Sequence, residues 1–559
     1  VPRDAIPRSR WGRLVLVVAL LTGIGLRVGR FLENRPLWID EAKLALSIGR
    51  RDFIGLLQPL DYNQVAPILY LWLLKGGASL LGMHEWTLRL PSLAAGVLVL
   101  WVVWLLGRRV LSEVGALVAV ALAATAPMLV AYAAEAKPYE LDACVSAILL
   151  LFALRVHERD DSGRRLTLGL AGVVGIGFSI PAVFILGGIG GALLLSAWRR
   201  RSWAAAASTA IWGVIWMCAF LLQRHLTYSD VATEAKMQSF WRGVMIRVGE
   251  PGWISRLGLS VRSGILGAMD PGWPVLRFLA PVAAGIGTLV IWKRSGIVAA
   301  LMLALSLGLA LLASALGLWP VDSRLALFLT PIAFLWFGAL ADLLWPASPH
   351  RTGIKVAVVG LVILGVALNI TRPSRFPPLE ASRDLIASLS PRRAMAPVYV
   401  FPGGVPTWVF YTTDWRHPDL ARLDWYARVE PSRNVPSRGR AVMDGEPAVE
   451  WHGLNGIELV GRSTGMLFVM GPGWLTPGPD PNWGNAEMRR LAASGSAMAW
   501  VYGSHLQSAQ VDSLRDGLER NGGEMVSEER GGSAVLWQVR FRPPSRESAA
   551  EPPARTRRP

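Results

Sequence analysis

Asp40 and Glu41 stand side by side in NRPLWIDEAKLALSIG (Asn34–Gly49), directly after the apolar stretch Leu14–Leu32. Adjacent carboxylates at a membrane surface can start a helix, since acids in a first turn offset the macrodipole. They can also accept a proton from a reacting group. Spacing alone leaves both readings open. A second segment, AYAAEAKPYELDA (Ala131–Ala143), sets Glu135 and Lys137 at the mouth of another apolar run. A lysine there either snorkels to the interface or offers its charge to a lipid-linked phosphate. His84 and His225 also lie between apolar runs. Without ligand spacing they are thin support for a metal site, and a divalent cation there is carried only as an alternative.

These residues need elements to position them, and the composition says which kind. Apolar residues make up 52% of the 559 and charged residues 17%, against about 25% charged in an ordinary soluble domain. Charges are scarce up to about residue 370 and frequent afterwards, as in a polytopic membrane protein with a soluble tail. The formal charge of +17 sits mostly in short loops between apolar runs, which is a topology signal rather than a nucleic-acid footprint. No nucleic acid is expected as a partner; membrane lipids are. Cys144 and Cys218 both fall inside apolar runs and read as small core residues.

A helix needs roughly 20 apolar residues to cross a bilayer. The candidates are Leu14–Leu32, Leu88–Leu106, Val114–Val130, Tyr139–Val156, Leu166–Ile180, Ala182–Trp198, Trp203–Leu222, Val275–Trp292, Ile297–Leu318, Leu325–Leu344 and Ile354–Ile370. Val65–Leu81 is ambiguous, and orientation resolves it. Arg3, Arg8, Arg10 and Arg13 put the N-terminus inside. If Val65–Leu81 does not cross, the clusters Arg108-Arg109, Arg155 to Arg165, Arg199-Arg200-Arg201 and Lys293-Arg294 also fall inside. If it crosses, they fall outside. The expectation is therefore about eleven spans, with Val65–Leu81 along the outer interface. The loops Glu33–Thr87, Glu135–Lys137, Gln223–Trp273 and Trp319–Arg324 then share the outer side. The spans read as nearly free of ionisable groups.

Beyond Ile370, Pro397–Phe401, Gly465–Met470 and Met498–Gly503 read as buried strands. Ser508–Asn521 reads as an amphipathic helix and Ala534–Phe541 as a closing strand. The fold class expected is a polytopic α-helical membrane protein with a small C-terminal soluble α/β domain. The division is 1–370 for the membrane domain, 371–545 for an extracytoplasmic domain and 546–559 for a disordered tail. The tail domain shows no catalytic motif; a structural or acceptor-docking role is the default.

Taken together, WIDEAKLALSI, QVAPILYLWLL and the RLPS that opens the second span (Arg89–Ser92) resemble the N-terminal signature of GT-C membrane glycosyltransferases. The nearest group is the family 39-like one, of protein-mannosyltransferase and aminoarabinose-transferase type. AEAKPYEL is similar to that family's second-loop motif, with Lys137 where arginine is more usual, and SRLALFLTP (Ser323–Pro331) to a later one. The resemblance covers the chain well to about residue 345. It implies a GT-C-like fold and inverting transfer of a sugar from a polyprenyl-phosphate carrier to a lipid, glycan or protein acceptor at the outer face. Asp40 matches the family's catalytic acid position, which implies the role of general base for it, with Glu41 orienting it or the acceptor. Lys137, Arg324 and Arg89 are the candidates for the donor phosphate; Glu135, Tyr139, Trp38 and Tyr62 are those for substrate contact. No cofactor is required. Trp and Arg usage points to a GC-rich bacterium, hence a plasma membrane. The rival classes are a transporter or flippase, which calls for inverted repeats and polar mid-span residues, and a non-catalytic scaffold for envelope assembly working through its tail.

Overall fold

The computed structural model describes residues 9–60, 62, 64–227, 239–267, 276–344, 360, 363–364, 367, 380–389, 396, 398–412, 415, 437–441, 449–453, 458–463, 466–470, 482–493 and 495–542. The chain divides into two compact units. One comprises Val1–Arg35 and Ser47–Pro377, the other Pro36–Leu46 with Pro378–Pro559. The division is unlike a simple cut near residue 370, because an eleven-residue piece of the N-terminal region, with Asp40 and Glu41 in it, groups with the C-terminal part.

The first unit is helical. Its elements are α1 (Arg10–Leu32), the end of α2 (Ile39–Arg50), α3 (Ile68–Leu81), α4 (Glu85–Val110), α5 (Glu113–Thr125), α6 (Pro127–Tyr132) and α7 (Tyr139–Glu158). There follow α8 (Ser162–Phe178), α9 (Ala182–Arg199), α10 (Trp203–Thr227), α11 (Trp253–Leu266), α12 (Leu276–Ser295), α13 (Ile297–Ala315) and, after a 3₁₀ segment at Ser323–Leu329, α14 (Thr330–Leu344). Each expected span up to Leu344 falls on helix over most of its length. The last expected span, Ile354–Ile370, lies almost wholly outside the described residues, as does the 546–559 tail. Among the described residues, six helices are long and apolar enough to cross a membrane: α1, α4, α9, α10, α13 and the continuous Ser323–Leu344. The segment expected to lie along the interface forms only the 14 residues of α3, about 21 Å at 1.5 Å per residue and short of a bilayer core.

Residue spacing explains the helix faces. On α1 the buried positions Leu16, Ala19, Gly23, Arg27 and Phe31 recur every three or four residues, while Leu14, Val17, Val18 and Leu21 are exposed. That is one packed stripe on a helix whose other side is apolar and suited to lipid. Small residues allow a close approach of α5 and α14. A Cβ on Gly338 would stand 2.4 Å from the Gly115 carbonyl oxygen, so only glycine lets these backbones meet. At that crossing Asp342 of α14 accepts from Ser112 N–H at 2.7 Å and from Gly115 N–H at 2.8 Å. It thereby satisfies orphan donors at the start of α5.

One expectation is corrected here. Val114–Val130 is not one helix: α5 stops at Thr125 and α6 starts at Pro127. Proline has no N–H to give the Ala123 carbonyl four residues back, and its ring disfavours a continuous helix. The missing donor comes from another helix. Arg27 of α1 gives Nη2 to Ala123 O at 3.0 Å and Nη1 to Ala124 O at 3.2 Å.

The second unit is built on an eight-stranded mixed sheet, in the order β2-β3-β4-β5-β1-β6-β8-β7. Its strands are β1 (Val398–Val400), β2 (Ser437–Ala441), β3 (Val449–Gly453), β4 (Glu458–Ser463), β5 (Met466–Met470), β6 (Met498–Gly503), β7 (Gly523–Gly531) and β8 (Ala534–Phe541). β1 is parallel to both neighbours, β5 and β6; the remaining pairs are antiparallel. The central β1 is buried throughout and β6 nearly so, as expected of strands covered on both faces. Edge strand β7 alternates and carries Glu524, Glu528, Glu529 and Arg530, charges that discourage pairing with another chain. Helices α15 (Ser382–Leu389), α16 (Val405–Thr412), α17 (Trp483–Ala492) and α18 (Ser508–Arg520) accompany the sheet. Tyr399, Val501, Leu514, Leu518 and Trp537 belong to its core.

Candidate functional site

The acidic doublet lies at the head of α2, in the second unit, and its two carboxylates do different things. Glu41 is 1% exposed and its Oε2 accepts from Trp38 N–H at 3.4 Å, folding back over the first turn as a cap. Asp40 keeps its side chain 20% exposed, with Oδ1 3.6 Å from Lys43 Nζ one turn on. The two carboxylates are thus placed differently: Glu41 turns back onto the helix start, and Asp40 is the more exposed of the pair. Trp38, expected as a substrate contact, is buried.

Around this turn the second unit supplies acceptors for backbone donors that a helix start leaves over. Leu37 N–H donates to the Tyr411 hydroxyl at 2.7 Å and Ile39 N–H to Glu380 Oε2 at 3.1 Å. Glu380 also accepts from Ser504 Oγ at 2.9 Å, and its Oε1 lies 2.9 Å from His505 Nδ1. None of these residues is marked in the sequence by spacing or motif.

The first unit holds the cationic candidates around the turn between α6 and α7. Lys137 is 6% exposed; its Nζ donates to Gln64 Oε1 at 2.7 Å and its carbonyl accepts from Ser92 Oγ at 3.1 Å. Glu135, two residues earlier, is buried. Arg89 is buried near the start of α4 and donates Nη1 to the Arg35 carbonyl at 2.5 Å. Burial, with Arg30 next in effect, lowers the pKa of the Arg35 guanidinium, while Glu33 and Glu135 pull it back up. Arg324 lies 5.7 Å from the Tyr139 ring centre and 6.0 Å from that of Trp241, within cation–π range. Tyr139 meets Tyr132 edge-on at 5.1 Å. Burial first, then Glu135, pushes the Tyr132 phenol well above its ordinary range, against the opposing pull of Arg324. Arg35, Arg89, Glu135, Tyr132, Tyr139 and Arg324 thus form one charged and aromatic neighbourhood at the hairpin that carries Lys137. Such a set can bind an anion and orient a ring.

Three further expected residues are Tyr62, His84 and His225. Tyr62 takes a left-handed backbone, φ 58°, uncommon for a residue with a Cβ. His84 is exposed at the start of α4, with Nε2 3.0 Å from Leu81 O and Nδ1 3.1 Å from Thr87 Oγ1. His225 is exposed in the last turn of α10. No group of three or more His, Cys, Asp or Glu able to hold a metal ion is found among the described residues.

The expectation of spans nearly free of ionisable groups is corrected. Arg27 in α1 and Glu140 in α7 are fully buried, with Nη2 3.7 Å from Oε1, and Asp142 is buried one turn into α7. Charges at such depth persist only when paired or committed to backbone partners. A lone arginine inside an apolar run was the signal available for Arg27. For Glu140 it was a third carboxylate within the hairpin motif.

Residues 65–226 match the family model of dolichyl-phosphate-mannose-protein mannosyltransferases. This segment contains Lys137, Glu135 and Arg89. The whole chain is similar to the crystal structure of ArnT from Cupriavidus metallidurans in the apo state, with a TM-score of 0.50 at 17% identity, over 94% of this chain and 97% of that one. Similarity to the same protein bound to undecaprenyl phosphate has a TM-score of 0.50 at 15% identity, over 95% of this chain and 98% of that one. The chain has a GT-C-like fold. The resemblance read from the sequence motifs is borne out by the family segment and by a fold likeness that extends beyond it to nearly the whole chain. No curated protein sequence matches the chain.

Proposed function

We propose that this protein is a GT-C glycosyltransferase that moves a sugar from a polyprenyl-phosphate carrier to an acceptor hydroxyl at the outer face of a bacterial plasma membrane. Asp40 takes the proton of the attacking hydroxyl, and the anomeric configuration inverts. The observation that carries the reading is the buried Lys137, fixed by Gln64 and Ser92 inside the segment that matches a family of lipid-phosphate-sugar transferases. A largely desolvated ammonium is suited to the negative charge that gathers on a departing lipid phosphate. The ArnT structure with undecaprenyl phosphate bound, alike over nearly the whole chain, supports a polyprenyl carrier as the donor type.

In this mechanism Lys137, with Arg324 and Arg89, binds the donor phosphate. Glu135 and Tyr139 contact the sugar, and Asp40 acts from the head of α2. The N-terminus is cytoplasmic, the membrane is crossed about eleven times, and the C-terminal α/β domain is extracytoplasmic. No metal step is required by this chemistry. The test is transfer by the purified protein from a panel of undecaprenyl-phospho-sugars. Asp40→Asn, which keeps shape but not basicity, is expected to lower turnover at least 100-fold, the range of a lost general base, with the protein still folded and inserted. Full activity in that variant removes the assignment.

A further inference from the structure

Asp40 can act as a base only if the first turn of α2 holds it in place, and that turn has few resources of its own. Pro36 precedes it, and neither Leu37 nor Trp38 can cap a helix through a side chain. Glu41 covers the Trp38 N–H. The amides on either side are satisfied from far along the chain, Leu37 by Tyr411 and Ile39 by Glu380. Glu380 is the better placed to act on Asp40, because Ile39 is the residue next to it.

The carboxylate of Glu380 is held on every side. It is 1% exposed, and Oε2 takes Ser504 Oγ as well as Ile39 N–H. Oε1 faces His505 Nδ1, and Ser504 is itself 3.1 Å from Ser382 Oγ. The backbone is tied down too. Glu380 bridges to Gly532, and Ala381 N–H donates to Gly531 O at 3.1 Å. A buried carboxylate so fixed is a rigid acceptor, and its negative charge lies at the end of α2 where the helix dipole favours it.

We infer that Glu380 is a positioning residue for Asp40: by gripping the Ile39 amide it sets the first turn of α2, and the C-terminal part of the chain thereby takes part in turnover. This rests on the reading of Asp40 as the base. The chemistry selected is geometric: displacement of a reacting group by about 1 Å costs on the order of 100-fold in rate, without change in how the lipid donor is bound.

The test uses the full-length protein in nanodiscs, normalised to folded, monodisperse material. The donor is whichever of undecaprenyl-phospho-mannose, -glucose, -galactose or -aminoarabinose the wild type consumes. Glu380→Ala is expected to lower kcat about 100-fold with donor KM within about twofold. Glu380→Gln keeps an oxygen for Ile39 but loses the charge, so its kcat falls only about three- to tenfold. In both variants hydrogen exchange of the Leu37–Asp40 amides accelerates, at least tenfold for Ala. If Glu380→Ala does not fold, Glu380→Gln alone decides. A kcat within twofold of wild type, a loss confined to donor KM, or unchanged exchange at Leu37–Asp40 overturns the inference. Asp40→Asn run beside these variants separates the two ideas. An active Asp40→Asn removes the base assignment, whereas an inactive Asp40→Asn with wild-type kcat in the Glu380 variants removes only the role of Glu380.

Discussion

Replacing Arg27 by methionine perturbs three things at once, and the structure lets their sizes be ranked. The guanidinium is completely buried and lies 3.7 Å from the buried Glu140. It is also the donor for the Ala123 and Ala124 carbonyls, which Pro127 leaves at the end of α5. Removing one partner of a buried pair strands the other charge, a cost of about 3–5 kcal/mol. Each carbonyl left dry adds about 1 kcal/mol or more. Arg27→Met should therefore destabilise by roughly 5–7 kcal/mol. Glu140→Gln leaves the arginine its carbonyl partners and should cost about 1–3 kcal/mol. The double variant strands no carboxylate, so the two losses should fall short of additive by about 2 kcal/mol. Gly96 leaves no room for repair: a Cβ there would lie 3.0 Å from Glu140 Oε1 and 3.1 Å from Arg27 Cδ. The assay is a double-mutant cycle on the unfolding of the full-length protein in one detergent. An Arg27→Met variant within about 1 kcal/mol of wild type, or a strictly additive cycle, refutes the reasoning.

Two further predictions follow from single side chains. Lys137→Ala should lower kcat/KM for the lipid donor about 10–100-fold, the size of a lost charge-assisted hydrogen bond of about 1.5–3 kcal/mol, with Lys137→Arg retaining more; unchanged donor kinetics in the alanine variant count against the phosphate role. Burial alone would raise the pKa of Glu528, but hydrogen bonds from Arg530 Nε (2.6 Å) and Trp537 Nε1 (2.9 Å), with Arg515 nearby, bring it below its ordinary value. A depressed folded-state pKa stabilises above the unfolded value of about 4.3, and that stabilisation is lost as pH falls through the folded value. Because the group is partly exposed, the contribution is at most about 1 kcal/mol. Glu528→Gln should reduce the fall in thermal midpoint between pH 6 and pH 3 (about pH 6 and about pH 3 bracket the carboxylate range); an identical fall in both proteins contradicts this.

Much of the fold was legible because the helices obey length and charge bias. Arg10 to Leu32, Tyr139 to Glu158 and Ala182 to Arg199 begin or end within a few residues of where apolar runs and basic flanks place them. The same holds for the strands Val398–Val400, Met466–Met470, Met498–Gly503 and Ala534–Phe541 and for the helix Ser508–Arg520, where pattern and period agree. The break at Pro127 is written in the chain too, in backbone chemistry that hydropathy does not register. β2, β3 and β4 escaped notice for a different reason. SRGRA, VEWHG and ELVGRS are polar, and such strands are specified by their neighbours in the sheet more than by their own composition.

The candidate residues divide along the same line. Asp40, Lys137 and Arg324 could be picked out because a charge beside an apolar run is conspicuous. The residues around them could not, since Gln64, Tyr411 and Glu380 are ordinary until folding sets the Lys137 ammonium, the Leu37 amide and the Ile39 amide within 3.1 Å of them. The acidic doublet shows why local reading stops short. From sequence, capping a helix and accepting a proton were competing explanations for one pair of residues. In the structure Glu41 turns inward to Trp38 N–H and Asp40 is the more exposed, so the capping explanation applies to Glu41 and the proposed proton transfer needs only Asp40 as its base. Each depends on the other, because an uncapped first turn would fray and carry Asp40 with it. The base role proposed for Asp40, at the start of a short helix, therefore requires a second group to restrain that start. Glu41 supplies it from the same turn and Glu380 from 341 residues along the chain.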